Sequence, residues 1–475
     1  MTAELASRHA ADASPAAPLP GHPLSRGARL GWAAARAGAP ALLGQPVDPG
    51  PLMQALHQLK GPALKAAQLL SLEGALPPGW LPPGWREQLA TACHQSPPLN
   101  RALVHKQFLQ AFGQAPGQVF RRFEPVAFAA ASLGQVHHAT TWEGQAVAVK
   151  LQYPGVASAL RSDLQMLGAL LPWLVRQSGA SADNARQLLA GARGKLEEEL
   201  DYEAEALTLA HFARGMGPCT GQRVPAPLPT LCRPGILTMQ ALPGLHLDDW
   251  LAQSPGAAAR DAAGQRLWDG FWHMVLRMGR FHADLHPGNL LFHMAIPGDE
   301  GAPDVELGWL DFGCTQAISA DLLAGMGLVW SGATMALGAS DATGQADVPP
   351  LPPQAGTQLL HGWGALGVFG GGLDAVQVQE QIWPAAYPLL AWQTAPWRLV
   401  DAEGRCDFGR LPALSWPDHR QAAPLSRAIA QLPVTLACFD RAWLGLLHLL
   451  RRLEARVDTR TTHPTRWGAL HASGA

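Results

Sequence analysis

The chain has 475 residues, of which 48% are hydrophobic and 15% are charged. That apolar content is enough to bury a large core, so it excludes an intrinsically disordered protein. The 35 basic and 37 acidic residues leave a formal net charge of −2. No global positive field therefore attracts phosphate backbones, and nucleic acid is not an expected partner.

The cysteines and the apolar runs indicate the cellular compartment. The six cysteines stand far apart without a CxxC pair, which predicts reduced thiols in a cytoplasmic compartment and no structural zinc site. No apolar segment follows a basic start, so no signal peptide is expected. The apolar runs near 164–175 and 322–338 are short or broken, below the ~20 residues of a spanning helix, and no transmembrane helix is predicted.

The first elements in chain order are a leader and a helical extension. Residues 1–50 are rich in Ala, Pro and Gly and predict a disordered leader, with a transit peptide as the alternative. Apolar residues recur at helical spacing from Pro51 onward. This pattern predicts a helical extension over 51–118, ahead of the main fold.

A β-rich region begins at Val119. Gly134–Thr141 and Gln145–Leu151 contain short alternating runs, and Glu143-Gly144 between them predicts a turn. Lys150 therefore lies at the end of a largely apolar strand. Further elements are expected as helices over 157–178 and 182–214 and as a strand over Gly235–Met239.

The second half of the chain is mostly helical in character. The patterns predict a helix near 257–280, a strand over Asp304–Phe312 and helices beyond 320, interrupted by a Pro-rich loop at 348–353. Strands that come first and helices that come later indicate an α+β fold with two lobes, over 119–240 and 241–475.

The strongest motif is HADLHPGN at 282–289, followed by Asp311-Phe312-Gly313. An acid and an amide five positions apart, Asp284 and Asn289, together with the second Asp form the arrangement that phosphoryl transfer needs. One Asp orients or deprotonates the acceptor, while Asn and the second Asp hold Mg²⁺. A metal cluster of His282, Asp284 and His286 is an alternative, and a buried structural role is the simpler interpretation of His282.

Two upstream segments fit the same chemistry. Lys150 can contact the α- and β-phosphates of a nucleotide if a carboxylate fixes it, and the acidic run 197–205 offers candidates, although such a run is commonly a solvated helix face. On one helix Asp201 and Glu205 share a face, whereas Glu199 lies about 120° from Glu205. One helix could then serve two different cations.

An alanine-rich segment, AAASLGQV at 129–136, stands where a phosphate-binding loop would carry glycines. Alanine has a Cβ and prevents the close backbone approach that glycine allows. The segment should therefore hold phosphates less productively for transfer, and ordinary packing is the alternative interpretation.

Taken in order, these motifs resemble the ABC1/UbiB/ADCK group of atypical protein-kinase-like proteins over roughly 50–320, and the resemblance continues more weakly to the C-terminus. The resemblance implies an α+β, bilobal protein-kinase-like fold with an N-terminal helical extension over the active site and a mostly helical C-terminal lobe. The matching segments are AAASLGQVH at 129–137, VAVKLQYPG at 147–155, the ExD-like Glu199–Glu205, HADLHPGN at 282–289 and LDFG at 310–313.

The resemblance assigns site residues one by one. It implies that Glu205 pairs with Lys150, that Asp284 is the catalytic-loop acid, and that Asn289 and Asp311 bind Mg²⁺. ATP or ADP would meet the alanine-rich segment and the hinge backbone, at Ala130, Ala131, Ser132, Lys150, Met239 and Ala241.

The family's regulatory KxGQ motif is matched by Lys65-Ala66-Ala67-Gln68, with Ala67 in place of its glycine. The resemblance implies that Lys65 and Gln68 lie near Glu199 and Asp201, and that Lys65 pairs with one of these carboxylates. The extra methyl of Ala67 bears on how tightly this helix packs.

The resemblance also implies a function. We expect a Mg²⁺-dependent ATPase or a small-molecule or lipid kinase that supports ubiquinone (prenyl-quinone) biosynthesis, cytoplasmic or peripheral on the inner membrane face. Its partners would be an adenine nucleotide, prenyl-quinone intermediates, anionic lipid and quinone-biosynthesis proteins. An active site covered by the N-terminal extension would disfavour protein substrates. The alternatives are a nucleotide-binding pseudokinase scaffold, an aminoglycoside- or choline-type phosphotransferase, and a metal hydrolase.

Overall fold

A computed structural model describes most of the chain after residue 98. The described residues are 99–131, 133–158, 160–161, 165, 194, 197–294, 304–339, 348–369, 373–411, 425, 429 and 433–467. The predicted leader and most of the predicted extension lie outside them. The described residues form two compact units, drawn from Trp80–Leu207 with Pro227–Ala241, and from Thr208–Ala226 with Leu242–Ala475.

The first unit is built on an antiparallel sheet. The elements of this unit are α1 (Arg101–Phe112), α2 (Pro116–Val119), β1 (Arg122–Phe123), β2 (Ala129–Ala131), β3 (Gly134–Thr140), β4 (Ala146–Gln152), the beginning of α3 (Tyr202–Met216) and β6 (Ile236–Gln240). Strands β1, β3, β4 and β6 pair in that order, and β2 adds to β3 as a hairpin.

Strand β4 shows why the sheet forms here. Val147, Val149 and Leu151 are fully buried and pack with Phe108 of α1 in one apolar cluster. Since side chains alternate across a strand, Lys150 points to the opposite face. The predicted β3–β4 hairpin is confirmed, because the chain turns at Gly144, whose positive φ of 87° suits a residue without a Cβ.

The second unit mixes short strands with long helices. Its helices and strands are the remainder of α3, β5 (Gln222–Arg223), α4 (Leu247–Ala252), α5 (Ala257–Leu276), β7 (Arg280–His282), β8 (Leu290–Met294), β9 (Val305–Trp309), β10 (Thr315–Ala317), α6 (Ala320–Leu337), α7 (Pro353–Leu366), α8 (Ala375–Gln377), α9 (Trp383–Arg398), β11 (Arg405–Asp407), α10 (Val434–Leu453) and β12 (Arg456–Asp458). The strand order in its three-stranded sheet is β5-β9-β8, while β7 pairs with β10 and β11 pairs with β12.

The long helices of this unit and one of its strands were expected from sequence. The predicted helix near 257–280 is α5, and the predicted strand within Asp304–Phe312 is β9. The expectation of helices beyond 320 missed the antiparallel pair β11–β12, whose strands have only three residues each. Three residues are too few for an alternating pattern to be distinguished from a loop.

An aromatic cluster forms the centre of the second unit. Its indole rings pack pairwise with centroids 4.9–6.1 Å apart, and each ring is at most 6% exposed. Such pairs add stability beyond the burial of their area. The members are Trp268, Trp272, Trp330, Trp397, Trp443 and Trp467.

Helix α6 coincides with the apolar run near 322–338. It is 18 residues long, and by length and composition alone it could cross a membrane. This differs from the expectation that the run is too broken to do so. More than half of the helix is buried within the protein, and the core helices of soluble proteins pass the same test.

Candidate functional site

The central feature of the first unit is a buried ion pair. Lys150 Nζ lies 2.7 Å from Glu205 Oε1 and 3.0 Å from Oε2, and both side chains are at least 92% buried. The ammonium also lies 5.1 Å from the ring centroid of Tyr202. The structure therefore brings together the lysine and the glutamate that the sequence paired, with Glu205 in the first turn of α3.

Gly134 determines how closely the alanine-rich hairpin approaches β4. A Cβ at this position would lie 2.1 Å from the Leu151 carbonyl oxygen and 2.9 Å from Tyr202 Oη. Only glycine fits so close a contact. The alanines at 129–131 form strand β2 rather than a loop, paired with the start of β3, and Ser132 lies outside the described residues.

Replacing Gly134 with alanine is expected to lower the free energy of unfolding by about 2–3 kcal/mol, because the added methyl meets backbone that cannot yield locally. Urea denaturation followed by far-UV circular dichroism measures this loss. Gly117→Ala is the matched control in the same unit, since a Cβ there meets nothing within 4 Å. Equal stability of both variants would contradict the expected clash.

Asp201 has a role that the sequence analysis missed. Its Oδ1 accepts hydrogen bonds from the backbone N–H groups of Glu203 (3.1 Å) and Ala204 (2.9 Å), so it caps the N-terminus of α3. The Glu205 N–H donates to the Asp201 carbonyl at 2.9 Å, so these two residues are joined across the first turn as predicted. The interpretation that Glu199 lies on the same helix as Glu205 is wrong, because the chain turns at Leu200 and α3 starts after the cap.

The other predicted regulatory residues are only partly described. Glu199 is half-buried just before that turn, and Asp201 lines a cavity of about 630 Å³ in the first unit. Lys65, Ala67 and Gln68 lie outside the described residues, so the pairing of Lys65 with either carboxylate stays a prediction.

The predicted hinge residues lie at the end of strand β6. Met239 pairs with Ala148 of β4, and the N–H of Ala241 donates to the Ala146 carbonyl at 3.1 Å. The chain passes from the first unit to the second after Ala241. Nucleotide binding by this backbone stays a prediction.

The second unit holds the catalytic-loop motif. Asn289 Nδ2 donates to the backbone carbonyl of Asp284 at 2.9 Å, and the Leu310 N–H donates to the Asn289 carbonyl at 2.8 Å. These bonds tie the Asp284–Asn289 loop to the residue that precedes Asp311. The structure thus brings together, within one unit, the three residues predicted for phosphoryl transfer and metal binding.

His282 acts as a structural residue in this loop. It is fully buried, its Nε2 lies 3.0 Å from the Leu310 carbonyl, and its Nδ1 accepts the N–H of Asp284 at 3.2 Å. With both ring nitrogens engaged, the imidazole is poorly placed to bind a metal. Among the described residues, no group of three or more His, Cys, Asp or Glu side chains is arranged to hold a metal ion.

Asp311 has an unusual backbone. Its φ of +54° is in the left-handed region, which Asp tolerates better than most residues. The next residue, Phe312, is buried against Phe212, with ring centroids 4.5 Å apart, and against His282 at 5.2 Å. Packing of Phe312 therefore supports the backbone turn that carries the Asp311 carboxylate.

The donor set suits magnesium. Asn289 uses its amide nitrogen for the bond to Asp284, so the oxygen is the atom of that amide able to bind a cation. Together with the Asp311 carboxylate this gives hard oxygen donors, which Mg²⁺ prefers, and a small number of protein ligands, which is usual when phosphates complete the shell.

One charged contact in this unit was not foreseen. Arg441 Nη2, on helix α10, lies 2.5 Å from Asp284 Oδ1, and the two side chains are 24% and 28% exposed. The two residues are 157 positions apart. No local pattern in the sequence could have indicated this pairing.

Asp440, beside Arg441, predicts a pH dependence of stability. Burial raises the pKa of the Asp440 carboxyl to about 7. The hydrogen bond that Gln393 Nε2 donates to it at 3.2 Å lowers this pKa, but by less than burial raises it. The folded protein then binds this proton up to a higher pH than the unfolded chain, whose carboxyl ionises near pH 4. The associated stability is present at low pH and is lost as pH rises from about 4 to about 7.

Between about pH 4 and pH 7 the unfolding free energy of Asp440→Asn should therefore change less than that of the wild type. The difference between the two changes should reach up to about 4 kcal/mol. The free energies of unfolding of the wild type and the variant at pH 4 and pH 8 test this. An identical pH dependence in both proteins would refute it.

Comparisons with known proteins give a consistent result. Residues 92–335 match the family profile of the ABC1 atypical kinase-like domain. An uncharacterized protein of Mycobacterium tuberculosis is 32% identical over 203 residues, covering 41% of this chain and 40% of that protein. "Probable protein kinase UbiB" of Pseudomonas putida is 29% identical over 250 residues, covering 52% and 45%. "Protein ACTIVITY OF BC1 COMPLEX KINASE 8, chloroplastic" of Arabidopsis thaliana is 30% identical over 243 residues, covering 50% and 31%.

The chain thus spans less than half the length of these curated relatives. Among solved structures, a Mycobacterium tuberculosis protein in complex with erythromycin aligns with a TM-score of 0.55 and 24% identity, over 89% of this chain and 94% of that one. The match to the ABC1 atypical kinase-like domain, together with the helices and sheets described above, confirms the predicted α+β kinase-like fold.

Proposed function

This chain belongs to the ABC1 atypical kinase-like family, and from this premise we propose that it binds ATP or ADP with Mg²⁺ and hydrolyses ATP or transfers its phosphoryl group to a small molecule or lipid. We further propose that this activity supports ubiquinone (prenyl-quinone) biosynthesis, in line with its similarity to UbiB. The domain match and the fold support a phosphotransferase, and the choice of substrate is part of the proposal.

The buried pair of Lys150 and Glu205 is the observation that carries this proposal. Burying two charges is expensive, and replacing such a pair by apolar residues is often neutral or stabilising. A buried Lys–Glu pair is therefore better explained by a functional role than by a contribution to stability. In kinase-like sites this pair fixes an ammonium that contacts nucleotide phosphates.

The residues of the second unit have complementary roles in the proposal. Asp284 orients the attacking hydroxyl or water and accepts its proton, while Asn289 and Asp311 bind Mg²⁺. When bound, Mg²⁺ neutralises charge on the phosphates and so lowers the barrier to transfer. Positioning and charge neutralisation by these side chains then supply most of the catalysis.

A nucleotide-binding scaffold without turnover is the second candidate. The alanines of strand β2 favour it, because a Cβ at each position hinders the close backbone contact with phosphates that glycine-rich loops make. The two candidates agree on nucleotide binding and differ on hydrolysis.

The test uses purified protein with Mg²⁺-ATP, with and without vesicles that contain anionic lipid. Binding of nucleotide together with Mg²⁺-dependent hydrolysis supports an enzyme, and stimulation by vesicles supports peripheral action at a membrane. Nucleotide binding without hydrolysis under either condition favours the scaffold. If no Mg²⁺-nucleotide binds, both candidates are wrong.

A further inference from the structure

Helix α10 contacts the segment that carries Asp284 at successive points. The ring of Phe439 packs edge-on against Phe281 with centroids 5.4 Å apart, just before the loop. Two residues further along the helix, the Arg441 guanidinium meets the Asp284 carboxylate at 2.5 Å. Helix α10 therefore contacts the catalytic segment at more than one residue.

A third contact brings the helix backbone itself close to the loop. A Cβ on Gly445 would lie 2.4 Å from the carbonyl oxygen of Leu285, the residue after Asp284. Glycine permits this approach, and any larger residue would push the helix or the loop away. Arg441 and Gly445 are one turn apart, so the charged contact and the close approach act on neighbouring residues of the loop.

From these contacts we propose that Arg441 is a positioning residue, which holds the Asp284 side chain in place, and that α10 supports the catalytic segment. The inference deepens the proposed function and rests on it. Arg441 lies beyond residues 92–335, the part that matches the kinase-like domain. The C-terminal region would then contribute to the same chemistry as that domain.

The chemistry of the contact explains why an arginine is suited to this role. A hydrogen bond between two ionised groups is shorter and roughly twice as strong as a neutral one. The guanidinium is planar with donors in a fixed arrangement, so it restrains a carboxylate better than the flexible ammonium of a lysine. Misplacing a reacting group by about 1 Å can cost on the order of 100-fold in rate.

The test compares Arg441→Gln with Arg452→Gln. Arg452 lies on the same helix and pairs with Asp248, whose side chain is 73% exposed, so its loss should have little effect. Hydrogen–deuterium exchange over residues 281–290, without nucleotide, reports the order of the loop. The Ala283 N–H donates to the Cys314 carbonyl, and the Asn289 N–H donates to the His286 carbonyl within the loop. We expect both groups to exchange about 10-fold faster in Arg441→Gln than in the control.

Kinetics provide a second readout. In Arg441→Gln, kcat for ATP hydrolysis should fall by about 10- to 100-fold while the KM for Mg²⁺-ATP stays within about 2-fold, because the residue acts on the chemical step. Arg441→Lys keeps the charge and should recover part of the lost kcat. A general loss of structure would not be recovered by lysine, and a larger unfolded fraction would be seen as faster exchange throughout the chain rather than only in the loop.

Equal exchange in Arg441→Gln and Arg452→Gln would overturn the inference. If Arg441→Gln does not fold, Gly445→Ala and Arg441→Lys replace it. Gly445→Ala keeps the charge and displaces the helix, so the same local rise in exchange is expected, and its absence would overturn the inference. Failure of the wild type to bind Mg²⁺-nucleotide would instead refute the proposed function, and the exchange comparison would still decide whether Arg441 holds the loop.

Discussion

Asp311→Asn is expected to lower Mg²⁺-dependent ATP hydrolysis by about 100-fold or more. In the proposed site the Asp311 carboxylate supplies the negative charge that attracts the divalent cation, and an amide of the same shape is a weaker ligand. The backbone at this position is left-handed, with φ at +54°, and Asn tolerates that region as Asp does. The variant thus removes charge without adding backbone strain. The hydrolysis rate as a function of Mg²⁺ concentration measures the effect.

Asp249→Asn is the matched control, because Asp249 is exposed on α4 and far in sequence from the catalytic motifs. It should retain the wild-type rate. Wild-type hydrolysis in Asp311→Asn would show that the metal is held by other residues. If the wild type binds nucleotide without hydrolysing it, nucleotide affinity is measured instead, with and without Mg²⁺, for the same two variants. The gain in affinity that Mg²⁺ produces should then be lost in Asp311→Asn and kept in Asp249→Asn.

Lys150→Met should affect both stability and nucleotide binding. It leaves Glu205 as a buried carboxylate without its ammonium partner, and breaking such a pair typically costs about 3–5 kcal/mol. The affinity for ATP should fall as well, since the proposed contact with the phosphates is lost. Urea denaturation and equilibrium binding of a fluorescent ATP analogue measure the two effects. Lys106→Met, at an exposed position of α1, is the control and should change neither.

The double variant Lys150→Met, Glu205→Gln separates the two effects. Removing the second charge relieves the unpaired carboxylate, so much of the lost stability should return. Nucleotide affinity should stay low, because no ammonium is present. If affinity returned together with stability, Lys150 would act through folding alone, and its proposed role at the phosphates would be wrong.

The parts of the fold that follow from local patterns could be predicted. The β3–β4 hairpin has alternating runs on either side of a turn with glycine. That alternation predicts which face of the sheet the Lys150 side chain lies on. The motif around Asp284 and Asn289 is contiguous, so the contact between these two residues could be expected from their spacing, while their chemistry stays a prediction. The family and the α+β kinase-like fold were predicted for the same reason, since ordered motifs carry them.

Other features depend on information that local patterns lack. Asp201 stands in an acidic run that is compatible with one long helix, and its capping bonds became evident only in the structure, although an Asp before a helix is a known start signal. The contact of Arg441 with Asp284 depends on the tertiary path of the chain. Hydrophobic periodicity places α10 against a core and does not specify which loop it meets.

The tryptophan cluster of the second unit determines what intrinsic fluorescence can report. Six indoles are packed within a few ångströms of one another in that unit, whereas Trp142 of the first unit is 59% exposed. Changes in emission on denaturation will therefore follow mainly the loss of the second unit. Circular dichroism of the backbone follows both. If the two signals gave different midpoints, the units would unfold in separate steps, and a single free energy of unfolding would not describe this chain.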